Sequence, residues 1–188
     1  NNEKELDKLV PNLRNAKWSA GEQKSQLDLL GRLNRLQMKR EGDDPQLEAG
    51  IQSMEVAFRM QTEAAEAFDI TREYVMQRQL FGQLLSDQQN TQFRMAEMDT
   101  EIELAQVYID HCVAEHNQGR LTSNMGAKAK MVASEVEWKM LDLGVQLHGG
   151  AGFMDEYPIS RMFSDARINR ILAGSIEAGQ AAGALRVG

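Results

Sequence analysis

Residues 45–82, PQLEAGIQSMEVAFRMQTEAAEAFDITREYVMQRQLFG, decide how this chain folds. Asp44 can cap a helix, and Pro45 sits at the first helical position, where no N–H is needed. Beyond it Ile51, Met54, Phe58, Ala65, Phe68, Tyr74 and Val75 supply an inward apolar stripe, with no stop signal before Gly82. The pattern predicts a single helix about three times the usual length. Such a helix cannot hide its stripe alone. It needs neighbours of similar length, which makes a helical bundle the expected architecture.

Downstream, Ser86 and Asp87 offer caps for a helix in which Ile102, Ala105, Ile109 and Val113 recur at three and four before Gly119 closes it. Thr122 or Ser123 can cap the next, which carries Met131, Val136, Met140, Leu143 and Leu147 to the pair Gly149 and Gly150. Pro158 can start a short helix through Asp165, and Ser175 a last one rich in small residues (Ala178, Ala181, Ala182, Ala184). Upstream, residues 1–21 read as a loosely ordered lead-in, and Leu27, Leu30, Leu33 or Leu36 and Met38 predict an amphipathic helix from Glu22 that Gly42 ends. No convincing strand or repeat is found. The expectation is an all-α, up-and-down four-helix bundle over 45–188, with an N-terminal helical extension over 1–44.

Composition agrees with this. The 188 residues have room for one domain, and 42% apolar with 26% charged residues is a globular mixture. One cysteine, Cys112, excludes an internal disulfide and favours a reducing compartment, so a cytoplasmic location is expected. No apolar run is long enough to cross a membrane, and the first thirty residues lack the parts of a secretion signal. The absence of an initial methionine suggests a fragment or a processed product. A net charge of −7 disfavours nucleic acid, and the basic cluster Arg32, Arg35, Lys39 and Arg40 is diluted by Asp28, Glu41, Asp43 and Asp44.

Few residues point to chemistry. His111, Cys112 and His116 lie close in sequence, but five residues separate the histidines on the helix, so no metal is expected there; Cys112 is read as a small core residue and the histidines as surface. The stretch Gln146, Leu147, His148, Gly149, Gly150, Ala151, Gly152, Phe153 is more informative. Three glycines in four residues after a helix form either a helix cap with a tight turn or a loop that brings amides and Gln146 up to a polar ligand. Arg78, followed by Phe81 and Gly82, pairs a planar donor fork suited to phosphate with a ring suited to stacking.

These pieces match a known family. YVMQRQLFG (74–82), QNTQFRMAEMDTEIELA (89–105) and VQLHGGAGFMDEYPISRMFSDAR (145–167) give the chain, from about Ile70 to Glu177, a resemblance to the C-terminal helical domain of the acyl-CoA dehydrogenases. The resemblance implies a four-helix bundle that assembles into homodimers or homotetramers, FAD held partly by a neighbouring subunit, and an acyl-CoA substrate oxidised as in fatty acid β-oxidation. It implies contacts to the FAD diphosphate and adenine half for Arg78 and Phe81, contacts across the subunit boundary for Gln146 and Gly150, a cofactor-binding place for Gly149 beside them, and a place near the flavin for Ser175.

In that family a glutamate removes the α proton as a hydride leaves the β carbon. Here the position just before the Gly-Thr pair is Ala173, in Ala173-Gly174-Ser175, and the alternative position on the long helix is Gln52; neither accepts a proton. Glu55, one turn on, is a poor substitute, and Ser164 replaces an arginine that usually precedes Asp165-Ala166-Arg167. No catalytic residue is therefore expected in this chain. The family's N-terminal helical and middle β domains, which cover the flavin and shape the acyl tunnel, have no counterpart in the sequence.

PNLR (11–14), LDLLGRLNRL (27–36) and LEAGIQSMEVAFRMQTEAAEAFDI (47–70) are instead similar to an uncharacterised bacterial family related to the alkaline phosphatase and sulfatase fold, without its metal motif. A chimeric junction near residue 70 is expected. Three functions follow: a remnant acyl-CoA dehydrogenase, a non-catalytic subunit that oligomerises or completes a partner's FAD site, and, weakest, a phosphate-ester hydrolase that would need a metal cluster.

Overall fold

The computed structural model describes residues 45–169. They form helix α1 (Pro45–Gln77), strands β1 (Gln79–Leu80) and β2 (Gln83–Leu84), a 3₁₀ turn (Leu85–Asp87), α2 (Gln89–Asn117), α3 (Ser123–His148), a second 3₁₀ segment (Gly149–Phe153) and α4 (Pro158–Asn169). The all-α bundle expected from the sequence is what they make. The expected helix over 22–42, the lead-in, and the small-residue helix from Ser175 lie outside the described residues.

Contacts fix the directions. Gly50 near the start of α1 touches Ser123 and Gly126 at the start of α3, Thr71 reaches Gly144, and the Tyr74 hydroxyl donates to the His148 carbonyl (3.2 Å). The first and third helices therefore run parallel in one register, with α2 returning between them. Their seam is lined by small residues at seven-residue spacing on α1, namely Gly50, Ala57, Ala64 and Thr71, against Gly126, Ala129, Ala133 and Gly144 on α3, all buried. The smallness has a steric cause: a Cβ on Gly126 would lie 2.2 Å from the Gly50 carbonyl oxygen, so the two backbones meet with nothing between them. This revises the expected stripe, because Phe58 and Ala65 are only half-buried while Ala57, Met60, Ala64 and Ala67 face the core.

Around the seam, Ile51, Met54 and Met60 pack with Ile109, Cys112, Leu121, Ala129 and Ala133 at one end. The expected small-hydrophobe role of Cys112 holds: the thiol is fully buried, and burial raises its pKa. At the other end α4 closes on α3, with Ile159 entering the gap left by Gly144 and Phe163 packed on Trp138 (4.9 Å).

The helix ends follow local chemistry. Gly119 (φ 68) ends α2 in a Schellman motif, its N–H donating to His116 O and that of Arg120 to Glu115 O, as a closing glycine predicts. The Arg120 guanidinium grips the Glu115 carboxylate (2.6 Å) and holds that carboxyl below its usual pKa. Of the two residues offered as caps for α3, Thr122 does the work, accepting from Met125 N (3.3 Å). Ser86 and Asp87 do not cap α2; they form the 3₁₀ turn before it, and Gln88 takes the cap position without a side-chain bond.

The seam generates a prediction. Gly126→Ala forces the two backbones apart and costs about 1–3 kcal/mol. The hydroxyl of Thr71 is buried with no hydrogen-bond partner, so Thr71→Val removes an unsatisfied group and leaves stability unchanged or raised by up to about 1 kcal/mol. Urea unfolding midpoints of the two variants should move in opposite directions or only the first should fall.

Candidate functional site

The sequence predicted one helix through to Gly82; α1 instead stops at Gln77. Its apolar period ends with Val75, and the next residues satisfy their backbone groups in a hairpin. Gln79 pairs with Leu84 and Leu80 with Gln83, and Phe81 (φ 52) and Gly82 (φ 81) make the two-residue loop. Positive φ at both positions is the pattern that suits a twisted hairpin, but Asn or Gly ordinarily fills the first place. Phe81 is the one non-glycine residue with positive φ among those described, and its ring is 95% exposed. The fold obtains no packing from it. Arg78, between helix and hairpin, is exposed and makes no ion pair or side-chain hydrogen bond among the described residues.

The parallel seam delivers the end of α3 to the same end of the bundle. The rings of Tyr74 and His148 stack at 3.9 Å, and Tyr157 stands edge-on to both (6.2 and 6.1 Å). His148 is buried, and its Nδ1 lies 2.7 Å from the Gly144 carbonyl. Desolvation lowers its pKa, partly offset by that bond. This cluster was not singled out from sequence. Tyr74 read as one more stripe residue and His148 as part of a glycine loop; the signal available was that each immediately precedes, by one helical turn or less, a candidate ligand residue.

The three glycines divide by role. Gly149 (φ 59) caps α3, its N–H donating to Val145 O and Gln146 O, so its amide is spent on the helix rather than offered to a ligand. Gly152 is buried against α3, where a Cβ would lie 2.6 Å from Val145 O. Gly150 has neither constraint: nothing lies within 4 Å of a Cβ built on it. Gln146 is exposed one turn before it, and Phe153 and Met154 are exposed just after. Hence Arg78, Phe81, Gln146, Gly149 and Gly150 lie on two segments, hairpin and turn, joined at their bases by the Tyr74–His148 stack. Ser175 and Ala173 lie outside the described residues.

The remaining sequence candidates lie elsewhere. Gln52 is exposed on the first half of α1 and donates to Glu48 Oε1 (3.3 Å). Glu55 is half-buried, and its charge acts on His116, whose pKa burial lowers. His116 is thus partly buried, not the surface residue expected, because α2 turns that side towards α1; His111 is exposed. Among the described residues no three His, Cys, Asp or Glu side chains converge on a metal position, and no helix is long and apolar enough to cross a membrane. Ser164 bonds to the Ser160 carbonyl of its own helix (3.1 Å).

The arrangement offers a guanidinium with no side-chain partner among the described residues, a solvent-facing ring, and an open glycine backbone where a polar ligand can come close, a set of groups that suits a phosphate-bearing aromatic ligand. The glycine roles are separable by experiment. Gly152→Ala should lower the thermal midpoint through its clash with Val145, and Gly150→Ala should leave it within about 2 °C, since its cost is an ordinary surface change of under about 0.5 kcal/mol.

Residues 50–184 match the family described as acyl-CoA dehydrogenase, C-terminal domain. The long-chain specific acyl-CoA dehydrogenase, mitochondrial, of Mus musculus is 40% identical over 110 residues, covering 58% of this chain and 26% of that protein. The crystal structure of acyl-CoA dehydrogenase from Geobacillus kaustophilus superimposes with TM-score 0.72 at 35% identity, over 74% of this chain and 37% of that one. An acyl-CoA dehydrogenase from Bacillus anthracis, determined complexed with FAD, superimposes with TM-score 0.67 at 28% identity, over 72% of this chain and 26% of that one. The chain thus corresponds to between a quarter and two fifths of the length of these relatives. The match begins at residue 50, twenty residues before the boundary expected from sequence, so the 50–70 stretch falls inside it.

Proposed function

The chain belongs to the acyl-CoA dehydrogenase family through its C-terminal domain, and from that premise we propose that it is an acyl-CoA dehydrogenase-like flavoprotein component that grips the nucleotide half of FAD. The observation that carries the reading is Phe81, held at positive φ with its ring in solvent, close in sequence to an Arg78 that has no side-chain partner among the described residues. Backbone strain of this kind, with no packing in return, belongs at ligand sites. In this reading Arg78 binds the diphosphate and Phe81 lies against the adenine. Gln146 and Gly150 approach the nucleotide from the turn, Gly149 sets the turn's angle, and Ser175 reaches towards the flavin. FAD supplies the two-electron acceptor for oxidising the α,β C–C bond of an acyl-CoA thioester.

The chain's own residues do not complete that reaction. Ala173 and Gln52 stand at the two base positions, and neither takes up the α proton at neutral pH. The proposal is therefore cofactor binding without α-proton removal by this chain alone. In this reading the chain divides into an extension, 1–44, and the bundle domain, 45–188; the family match runs unbroken from residue 50 through the junction expected near residue 70, so the 50–70 stretch goes with the acyl-CoA dehydrogenase part and not with the phosphatase- and sulfatase-like one.

One observation favours a second role, as a non-catalytic subunit that self-associates or completes a partner's FAD site. The α2 helix buries Met95, Met98, Ile102, Ala105 and Ile109, yet carries Phe93, Leu104 and Val107 more than 60% exposed on its opposite side. A second apolar stripe on one helix suits a homodimer or homotetramer.

Titration of the purified chain with FAD tests the proposal. Binding should quench flavin fluorescence, and Arg78→Ala should weaken it roughly 10- to 100-fold, the equivalent of one charge-assisted hydrogen-bond pair. Addition of an acyl-CoA and an electron acceptor should give no turnover. Absence of any FAD binding by the folded chain overturns the reading, and steady turnover overturns its claim about the missing base.

A further inference from the structure

The hairpin and the glycine turn follow different helices and make no backbone hydrogen bond to each other among the described residues. What joins them among the described residues is the stacked pair Tyr74 and His148. His148 immediately precedes Gly149, and its ring lies on that of Tyr74, whose own carbonyl accepts the N–H of Arg78 (2.9 Å). A continuous path therefore runs from the amide of Arg78 through the Tyr74 carbonyl and ring to the His148 ring, and on to the turn. One further bond holds the ring, His148 Nδ1 to Gly144 O (2.7 Å), and a second ties Tyr74 to the same residue's backbone, its hydroxyl donating to His148 O (3.2 Å).

We propose that His148 is a positioning residue that locks the Arg78–Gly82 hairpin and the Gly149–Gly150 turn into one nucleotide-binding edge, and that charging its ring loosens the pair. The proposal rests on the flavin-nucleotide reading above and adds to it a residue and a pH response. The Gly144 carbonyl only accepts, so Nδ1 carries the proton and donates, leaving Nε2 as the nitrogen that titrates. The groups facing the ring are Tyr74 from α1, Tyr157 from the segment before α4, and the Gly144 carbonyl from its own helix. No carboxylate or ammonium group among the described residues contributes to its titration. Burial disfavours the cation, so the folded-state pKa lies below that of an unfolded histidine. The sign follows: this contribution to order at the edge is complete above the unfolded value and is lost as pH falls through the window towards the folded one.

Two measurements on the full chain test it. In ¹H–¹⁵N NMR between pH 7.5 and 5.0, His148 should be the Nδ1-protonated tautomer at the top of the range. The amides of Gly149 and Gly150 and of residues 78–82 should shift with the His148 midpoint. Hairpin amides that stay still while the turn moves would refute the coupling, whether or not FAD binds. In parallel, FAD affinity of the wild type should fall severalfold over that range as the ring takes up its proton. His148→Asn, whose amide can take over the Nδ1 donation without titrating, should restore binding to within about threefold at pH 7.5 and abolish the fall, whereas His148→Leu should bind weakly at both pH values. Equal pH dependence in wild type and His148→Asn contradicts the proposal. If the wild type binds no FAD at any pH, the cofactor reading fails, and the NMR result alone decides the coupling.

Discussion

The direct contact of two backbones at Gly50 and Gly126 is the constraint from which the rest of this molecule follows. Parallel helices in a short-loop bundle are usually diagonal neighbours; here α1 and α3 approach until a single added methyl group would strike a carbonyl 2.2 Å away. Alanines continue the contact along the seam, so neither helix can rotate or slide without meeting a larger neighbour. Fixing register at one end fixes it at the other, and Tyr74 arrives beside His148. The site is thus a consequence of packing many residues away, and its precision is that of the two rigid helices rather than of the loops that follow them.

Separating what the fold requires from what it leaves unexplained narrows the functional residues. Gly149 is required by its positive φ, and Gly152 by the space it occupies. Gly150, Phe81 and Arg78 are required by neither packing nor capping, and all three are exposed around the joined ends of α1 and α3. A strained, solvent-facing aromatic next to a guanidinium with no side-chain partner among the described residues lowers stability unless a ligand or a partner compensates. The outer stripe of α2 is of the same kind, an apolar surface that intramolecular packing does not use.

Helical periodicity made the bundle legible from the sequence, because each long helix keeps a stripe at three- and four-residue spacing and Gly119 and Thr122 mark their ends by backbone and side-chain chemistry that is local. The hairpin was not legible. Its strands are two residues each, too short for an alternating pattern, and its loop places Phe where sequence rules expect Asn or Gly. The small-residue seam was missed for a related reason: large apolar residues such as Phe58 draw attention in a helical stripe, whereas the closest contact falls to residues with almost no side chain. The site was legible in part. Arg78, Phe81, Gln146 and Gly150 could be picked out by motif, but the Tyr74–His148–Tyr157 cluster that places them depends on a tertiary register that spacing along the chain does not encode.

The central claim is that hairpin and turn act as one edge for a flavin nucleotide. Hydrogen exchange of the chain with and without FAD tests it most directly. The account predicts slowed exchange in residues 78–83 and 146–151 together, at the same FAD concentration, with the exposed side of α2 unchanged. Protection confined to one of the two segments, or centred on α2, would contradict it.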